Sequence, residues 1–540
     1  MTPLMDAIKK AGLSDKAIKD GAPDLASLCS KERVMVLGNL GRTVEVPRLF
    51  YSLFETARII RETGTEEPLE FLSAPERKRL PVVKTQKLYV RESYKSLYQD
   101  ITSRFKDDPS LPSPNRIVVT GTSGIGKSAF LVYFMARLLW ESDPETPPIV
   151  IFQEKHGSNC YVCGGITTLR CGDIDEFQSF LCLPETWYLV DSSTEPNLDS
   201  ARTIISASPK TLFDYKEVMK EVVWSYYLAP WNKDELDKCR SQISEFSRIT
   251  PEFMDSLYDK IGGIPRYVLQ KPFESLVLFP DDLDRAEGEA YGLIQKAIDQ
   301  VTDATVYIQC FSKAEDSLAI SSRILHRWPT DDHRDFEFRW ASEHIRNAIH
   351  DKLGRQSWKN VLEKIIRGEG GEGLLFEVYV THILRKGGYT FEIKELVENA
   401  TPSVLKIPEQ PIVNYYRKAA DFSELGKNKG TLYIPDILNF PCIDAALGAD
   451  KLFQMTTSQD HPIKQTQFKE IIDAIRKGFG GTLNLYFVVP EKRFENFKRQ
   501  NYLNKDGLVS KAVPQEVQAV KQFALKFCVE SAHHGGSPGM

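Results

Sequence analysis

Apolar positions in this chain fall into short β-branched runs set between segments of helical period. RIVVT (Arg116–Thr120), PIVIF (Pro148–Phe152), WYLVD (Trp187–Asp191) and TIISA (Thr203–Ala207) read as strands, and AFLVYFMARLLW as an apolar helix from Ser128 to about Trp140. Their alternation predicts a parallel α/β sheet. From Asp281 to Arg367 the pattern turns helical and charged, as in IRNAIHDKL and WKNVLEKII, which predicts a helical bundle. GEGGEG (Gly368–Gly373) marks a hinge. Beyond it, LLFEVYVTHILRKGG is an amphipathic helix closed by a glycine pair and FEIKEL a strand. CIDAAL and KLFQMTT are two apolar runs, and LNLYFVVP is a buried strand. Helix, strands, helix, strand is the order of a restriction-endonuclease-like α/β core.

A chain of 540 residues exceeds one hydrophobic core. The pattern divides it into an N-terminal region (1–84), a nucleotide-binding domain (85–275), a helical linker or lid bundle (276–367), the second α/β core (368–530) and a flexible tail (531–540).

Composition changes this picture little. A hydrophobic content of 42% is ordinary for globular proteins, and a net charge of −5 argues against a protein that coats nucleic acid along its whole surface, while leaving room for a local basic groove. Nine scattered cysteines, an odd number, read as reduced thiols of the cytosol or nucleus. Cys160, Cys163, Cys171 and Cys182 cluster, but no second C-x-x-C or His pair accompanies them, so thiols in a hairpin are favoured over zinc. No apolar run approaches the roughly 18 residues of a membrane span, and MTPLMDAIKKAGLSDK has no apolar signal-peptide core.

The first strand feeds directly into GTSGIGKS, the G-x-x-x-x-G-K-S pattern of a phosphate loop. Gly121, Gly124 and Gly126 allow backbone conformations that a Cβ forbids, so the N–H groups from Gly121 through Thr122, Ser123 and Ile125 can turn toward phosphate oxygens. Lys127 is placed for the β- and γ-phosphates, Ser128 for Mg²⁺, and the helix N-terminus for the same charges. ATP with Mg²⁺ is the expected ligand. Asp191, ending WYLVD, is the Walker B candidate that would hold Mg²⁺ opposite Ser128. Ser192 and Ser193 follow it in place of the glutamate that many ATPases use to polarise water, which leaves Glu154 as a candidate for that role. Ser206 and Ser208 are candidates to sense the γ-phosphate, and Arg266, just inside the helix after GGIP, is a candidate lid arginine.

In the second core, an acid ending one strand and an acid or amide on the next converge on metal ions that activate water. Asp444 and Gln454 have that placement for Mg²⁺. Glu377 on the first helix can complete the shell, and Asp436 is a fallback ligand. Lys469, Arg476, Lys477, Lys492, Arg493, Lys498 and Arg499, with Phe494, Phe497 and Tyr502 among them, form a candidate nucleic-acid contact or a solvated helix face.

The order YVRESYKSLYQ (Tyr89–Gln99), GTSGIGKS, WYLVDSS, YLAPW and GGIPRYVL resembles the ATPase module of the Crinkler and retrotransposon-hot-spot type proteins of oomycetes, fungi and trypanosomatids, over about residues 85 to 350. NFPCIDAAL followed by LFQMTTSQDHPIK is similar to the nuclease domain of the same group. The resemblance implies a P-loop NTPase of the ASCE or AAA-like kind, with a helical lid, coupled to a C-terminal effector domain, often a nuclease, that acts on nuclear DNA. The group's ubiquitin-like header with L-x-L-F-L-A-K is not seen in residues 1–80, and its (E/Q)-x-K becomes Gln454-Met455-Thr456. Lys464, on the following helix, is the candidate substitute for the absent lysine.

The expectation is therefore an ATPase that controls a Mg²⁺-dependent nuclease. Its partners would be double-stranded DNA, further copies of itself or host nuclear proteins, not a membrane. It would act in the nucleus or cytoplasm, or in a host cell after unconventional secretion. The alternatives are an ATP-regulated nucleic-acid-binding scaffold whose nuclease fold has lost its chemistry, and an oligomeric remodelling ATPase.

Overall fold

The computed structural model describes residues 3–42, 48–64, 69–105, 116–155, 159–192, 196–197, 199–214, 224–302, 306, 310, 318–355, 372–427, 430–436 and 440–528. WKNVLEKII, Ser193, most of the GEGGEG hinge and the expected tail lie outside them. The chain divides into two compact units. One comprises Met1–Ala297, Leu318–Glu337 and Ala341–Ile345, the other Ile298–Ser317, Phe338–Trp340 and Arg346–Met540.

The first unit is built on a seven-stranded sheet. Its strands are β1 (Arg116–Thr120), β2 (Ile149–Gln153), β3 (Asn159–Gly164), β4 (Thr168–Asp173), β5 (Trp187–Asp191), β6 (Arg202–Ser206) and β7 (Trp224–Tyr227), in the order β7-β1-β6-β5-β2-β3-β4. The five strands from β7 to β2 run parallel, and β3 and β4 add an antiparallel hairpin at the edge. Cys160, Cys163 and Cys171 are buried in that hairpin. Among the described residues no three His, Cys, Asp or Glu side chains are grouped to hold a metal.

Helix α1 (Lys127–Trp140) is buried at every position from Ala129 to Leu139, as suits a helix that is apolar all round. One side lies on the sheet, where Phe134 meets Trp187 at 5.4 Å. The helices Arg48–Thr63 and Glu92–Arg104 also pack against it, and Tyr98 sits 4.8 Å from Phe134. Phe50 stacks on Tyr161 at 3.7 Å. Ala7, Ile8, Leu25, Val36 and Leu37 share one core with Val118, Ile151 and Val190. The boundary expected at residue 84 therefore separates no two cores, because residues before it cover the sheet and helix that follow. The segment expected as a helical bundle also contributes a strand, β8 (Leu325–Pro329), to this unit.

The second unit carries an eight-stranded mixed sheet. The strands are β9 (Thr390–Glu395), β10 (Ser403–Lys406), β11 (Val413–Tyr416), β12 (Leu432–Pro435), β13 (Ala445–Leu447), β14 (Lys451–Met455), β15 (Asn484–Pro490) and β16 (Lys521–Phe527), in the order β10-β9-β16-β15-β14-β13-β12-β11. Helix α2 (Glu372–Lys386) precedes them. The strands β12, β13 and β14 form an antiparallel meander, helix α3 (Gln465–Arg476) follows, and β15 returns parallel to β14. FEIKEL is strand β9, outside the meander, paired with β10 and β16. Phe468, Ile471, Ile472 and Ile475 form the apolar face of α3 and share a core with Leu485, Phe487 and Val489 of β15.

Candidate nucleotide and acid-pair sites

The phosphate loop joins β1 to α1 with Gly121, Gly124 and Gly126 at φ values of 134°, 85° and 99°. Neighbouring groups press on the loop. A Cβ on Gly124 would meet Ile264 Cγ2 at 3.0 Å and Arg266 Cβ at 3.1 Å. The loop is held from below by hydrogen bonds to its carbonyls. Trp231 Nε1 donates to Ile125 O at 2.7 Å, and the Tyr94 hydroxyl to Gly126 O at 2.8 Å. Arg91 fixes that support. Its guanidinium lies 4.9 Å from the centre of the Trp231 ring and donates to both Glu235 oxygens at 2.8 and 2.9 Å, and to Ala229 O and Pro230 O. The VRESY and YLAPW segments are thus the buttress of the loop.

Lys127 Nζ donates to Gly121 O at 3.0 Å and Thr122 O at 2.9 Å, within its own loop. Burial, then the nearby positive charges of Arg266, Arg327 and Lys155, push its ammonium down to about 7, against the attraction of Asp191. Lys127, Arg266, Arg327 and Lys155 lie within electrostatic reach of one another at the loop, a concentration of positive charge that fits a bound polyphosphate. Ser128 Oγ donates to Asp191 Oδ1 at 2.5 Å and Ser206 Oγ to the same oxygen at 2.8 Å. This hydroxyl and carboxylate pair is a donor set that fits Mg²⁺. Ser208 stands apart, bonded to Thr211. Glu154 follows β2, level with Asp191 on β5 by the register Gln153 to Val190, and its carboxylate accepts from the Tyr161 hydroxyl at 3.0 Å. Arg327, which sequence reasoning missed, comes from β8. Its backbone N–H donates to Thr122 Oγ1 at 3.2 Å, a contact across about two hundred residues that no local pattern signals.

In the second unit, Asp444 immediately precedes β13 and its N–H donates to Phe453 O at 2.8 Å. Its Oδ2 accepts from the Met455 N–H at 2.6 Å. The antiparallel register of Ala445 to Phe453 sets Asp444 across from Gln454. Glu377 on α2 faces the same place. Burial pushes both carboxyls well above the usual carboxylate range, and repulsion from Asp444 adds to the effect at Glu377. Gln454 is 7% exposed, its Nε2 lies 2.8 Å from His461 Nε2, and its Oε1 has no partner. Two carboxyls and an open amide oxygen are hard oxygen donors, a set that fits Mg²⁺.

Three sequence expectations change here. Lys464 is not within α3 but caps its start, at the end of the short strand Ile463–Lys464. The Cys442 thiol, pushed up to about 11 by burial, feels both the Lys464 and Asp444 charges. Asp436 is committed elsewhere, accepting from Arg346 at 2.8 Å and Arg417 at 2.6 Å. Phe494, Phe497 and Tyr502 belong to the core, at 0, 3 and 7% exposure, so they form no stacking platform for bases. Lys469 pairs with Asp473 and Glu516, while Lys492, Lys498 and Arg499 remain exposed. Thr456 occupies the place of the expected lysine, its hydroxyl accepting from the Ser458 N–H at 3.0 Å.

The chain is 25% identical over 473 residues to Crinkler effector protein 15 of Phytophthora infestans, covering 83% of this chain and 67% of the relative. It is a distant relative of the Crinkler effector proteins. Crinkler effector protein 16 of the same organism matches equally, at 25% over 467 residues with the same coverage of both chains. No family model matches the chain. Among solved structures, a closed-state reconstruction of Hsp104 with ATPyS and FITC casein aligns over 81% of this chain and 66% of that one at 12% identity. Its TM-score of 0.21 is too low to bear on the fold. Among the described residues no helix is long and apolar enough to cross a membrane.

Proposed function

We propose that this protein is an effector-type enzyme in which a P-loop NTPase of the ASCE, AAA-like kind controls a Mg²⁺-dependent nuclease of restriction-endonuclease-like fold. The nucleotide half is supported by the strand order. β6 lies between β1, which leads into the phosphate loop, and β5, which carries Asp191, and its Ser206 reaches the Asp191 carboxylate. Lys127, Arg266 and Arg327 would hold the phosphates of ATP, with Ser128 and Asp191 holding its Mg²⁺. Glu154 is the residue best set to orient water.

The nuclease half rests on one observation. Asp444 and Glu377, each pushed toward the protonated form by burial, sit with the open oxygen of Gln454 at a meander followed by α3 and a parallel strand. A bound Mg²⁺ there would supply a Lewis acid for phosphodiester hydrolysis. The residues of the chain hold and orient it, and the exposed Lys492, Lys498 and Arg499 supply contacts to DNA phosphates. Thr456 in place of a lysine favours the second reading, a nucleic-acid-binding regulator whose fold no longer cuts. The relatives are named effectors, and that name supports the same role here.

Wild type, Lys127→Ala and Asp444→Ala incubated with double-stranded DNA, Mg²⁺ and ATP test the proposal. Cleavage by wild type that Asp444→Ala abolishes supports it. Equal cleavage by the two removes the acid pair from the chemistry. DNA that wild type binds but does not cut establishes the second reading.

A further inference from the structure

A chain of buried amides runs through the second unit and ends at the acid pair. Gln522, fully buried, donates from Nε2 to Gln500 O and the Tyr502 hydroxyl, both at 3.2 Å, and accepts at Oε1 from the Gln500 N–H at 2.8 Å. Gln500, 6% exposed, donates from Nε2 to Gln459 O at 3.2 Å and Lys498 O at 2.8 Å. Its Oε1 accepts from the His461 N–H at 2.6 Å, which pins the backbone of the turn carrying His461. The His461 ring lies edge-on to Phe487 at 6.5 Å and places Nε2 2.8 Å from Gln454 Nε2.

Two nitrogens at that distance bond only if one offers a lone pair. With the Gln454 amide turned so that its nitrogen faces the ring, that nitrogen has no lone pair to give, so His461 Nε2 is the acceptor and the ring proton sits on Nδ1. Gln454 then donates through its NH₂ and leaves Oε1 as its open end. Gln500 and Gln522 have both ends of their amides satisfied. Gln454 Oε1 is buried and without a partner, on the strand opposite Asp444. A satisfied polar network that ends in one bare acceptor beside two carboxyls is built to present that acceptor to a cation, because an unpaired buried carbonyl is otherwise a cost.

We propose that His461 is a positioning residue, which fixes the Gln454 amide so that its carbonyl oxygen joins Asp444 and Glu377 as the third oxygen ligand of a divalent cation. The inference rests on the reading of the acid pair as a cation site. It accounts for the half-buried imidazole seven residues beyond Gln454. Held histidines and amides outside the ligand shell typically change metal affinity by about 10- to 100-fold when removed.

The test is Mn²⁺ binding to the nucleotide-free full chain, read from the loss of the free-ion electron paramagnetic resonance signal. Asp444→Asn identifies the site, and thermal melting verifies the fold of each variant. The expected result is a wild-type site that Asp444→Asn removes and that His461→Leu weakens about tenfold or more. His461→Gln should restore affinity, since its terminal amide puts an acceptor where Nε2 stood. His461→Asn, which keeps a polar side chain but ends short of Gln454, should weaken the site as leucine does, and it replaces the leucine variant if that one does not fold. Wild-type affinity in the leucine or asparagine variant overturns the positioning role alone, as does a glutamine variant no better than they are. Wild-type protein with no Mn²⁺ site that depends on Asp444 overturns both the inference and the reading beneath it.

Discussion

Trp231 Nε1 and Ile125 O are 2.7 Å apart, a hydrogen bond that ties the phosphate loop to a segment about a hundred residues downstream. Removing the donor leaves a buried carbonyl unpaired, at a cost of about 1–3 kcal/mol. Trp231→Phe should lower the midpoint of chemical unfolding accordingly and weaken nucleotide binding several-fold, while Tyr94→Phe, at the neighbouring Gly126 carbonyl, should act in the same direction. Equilibrium unfolding and titration with a fluorescent ATP analogue measure both effects.

Under the proposed function, Lys127 should link nucleotide binding to pH. Without nucleotide its ammonium is pushed down to about 7 from an ordinary 10.5. Polyphosphate favours the charged form, so binding above that pH takes up a proton, and affinity should fall by about tenfold per pH unit there. Calorimetry in buffers of different ionisation enthalpy reads the proton directly. In the nucleotide-free protein the unfolded state holds more protons across this window, so stability contributed at this position rises with pH from about 7 to 10.5.

Much of the first unit is legible in the sequence because its signals are local. Val118 and Val119 before glycines at 121, 124 and 126, and an acid closing WYLVD, follow from backbone sterics and strand chemistry. The role of residues 1–84 is not legible in this way. Their helices look like a separate module until α1 is seen to be buried on all sides and to need a cover. Phe494, Phe497 and Tyr502 mislead for a related reason. Interleaving with basic residues is equally the pattern of a core face whose neighbours are solvated, and only packing tells the two apart. Arg327 and His461 act through contacts that depend on tertiary placement, which spacing alone does not encode.

Asp436 is a structural acid. Arg346 is 2% exposed and donates to it at 2.8 Å, so Asp436→Ala removes a charged acceptor from a buried guanidinium and should destabilise the protein by about 3–5 kcal/mol. Because its oxygens are taken up by Arg346 and Arg417, a variant that still folds should bind Mn²⁺ as wild type does. Denaturant unfolding and Mn²⁺ titration on the same sample separate the two effects.

The acid pair should destabilise the metal-free fold as pH rises. Both carboxyls are raised by burial, so the folded state holds protons that the unfolded chain has already released, and stability is lost as pH climbs through the raised range. Glu377→Gln removes one member of the pair. Its melting temperature relative to wild type should therefore increase with pH, and a constant difference from pH 5 to 9 would show that the pair carries no such load.

The central claim, that nucleotide controls cleavage, is tested most directly by the rate of Mg²⁺-dependent cutting of double-stranded DNA as ATP is titrated into wild type and Lys127→Ala. The account predicts that saturating ATP changes the wild-type rate several-fold, and that Lys127→Ala stays at its nucleotide-free rate throughout. Rates that ignore ATP in wild type, or that respond equally in Lys127→Ala, would contradict it.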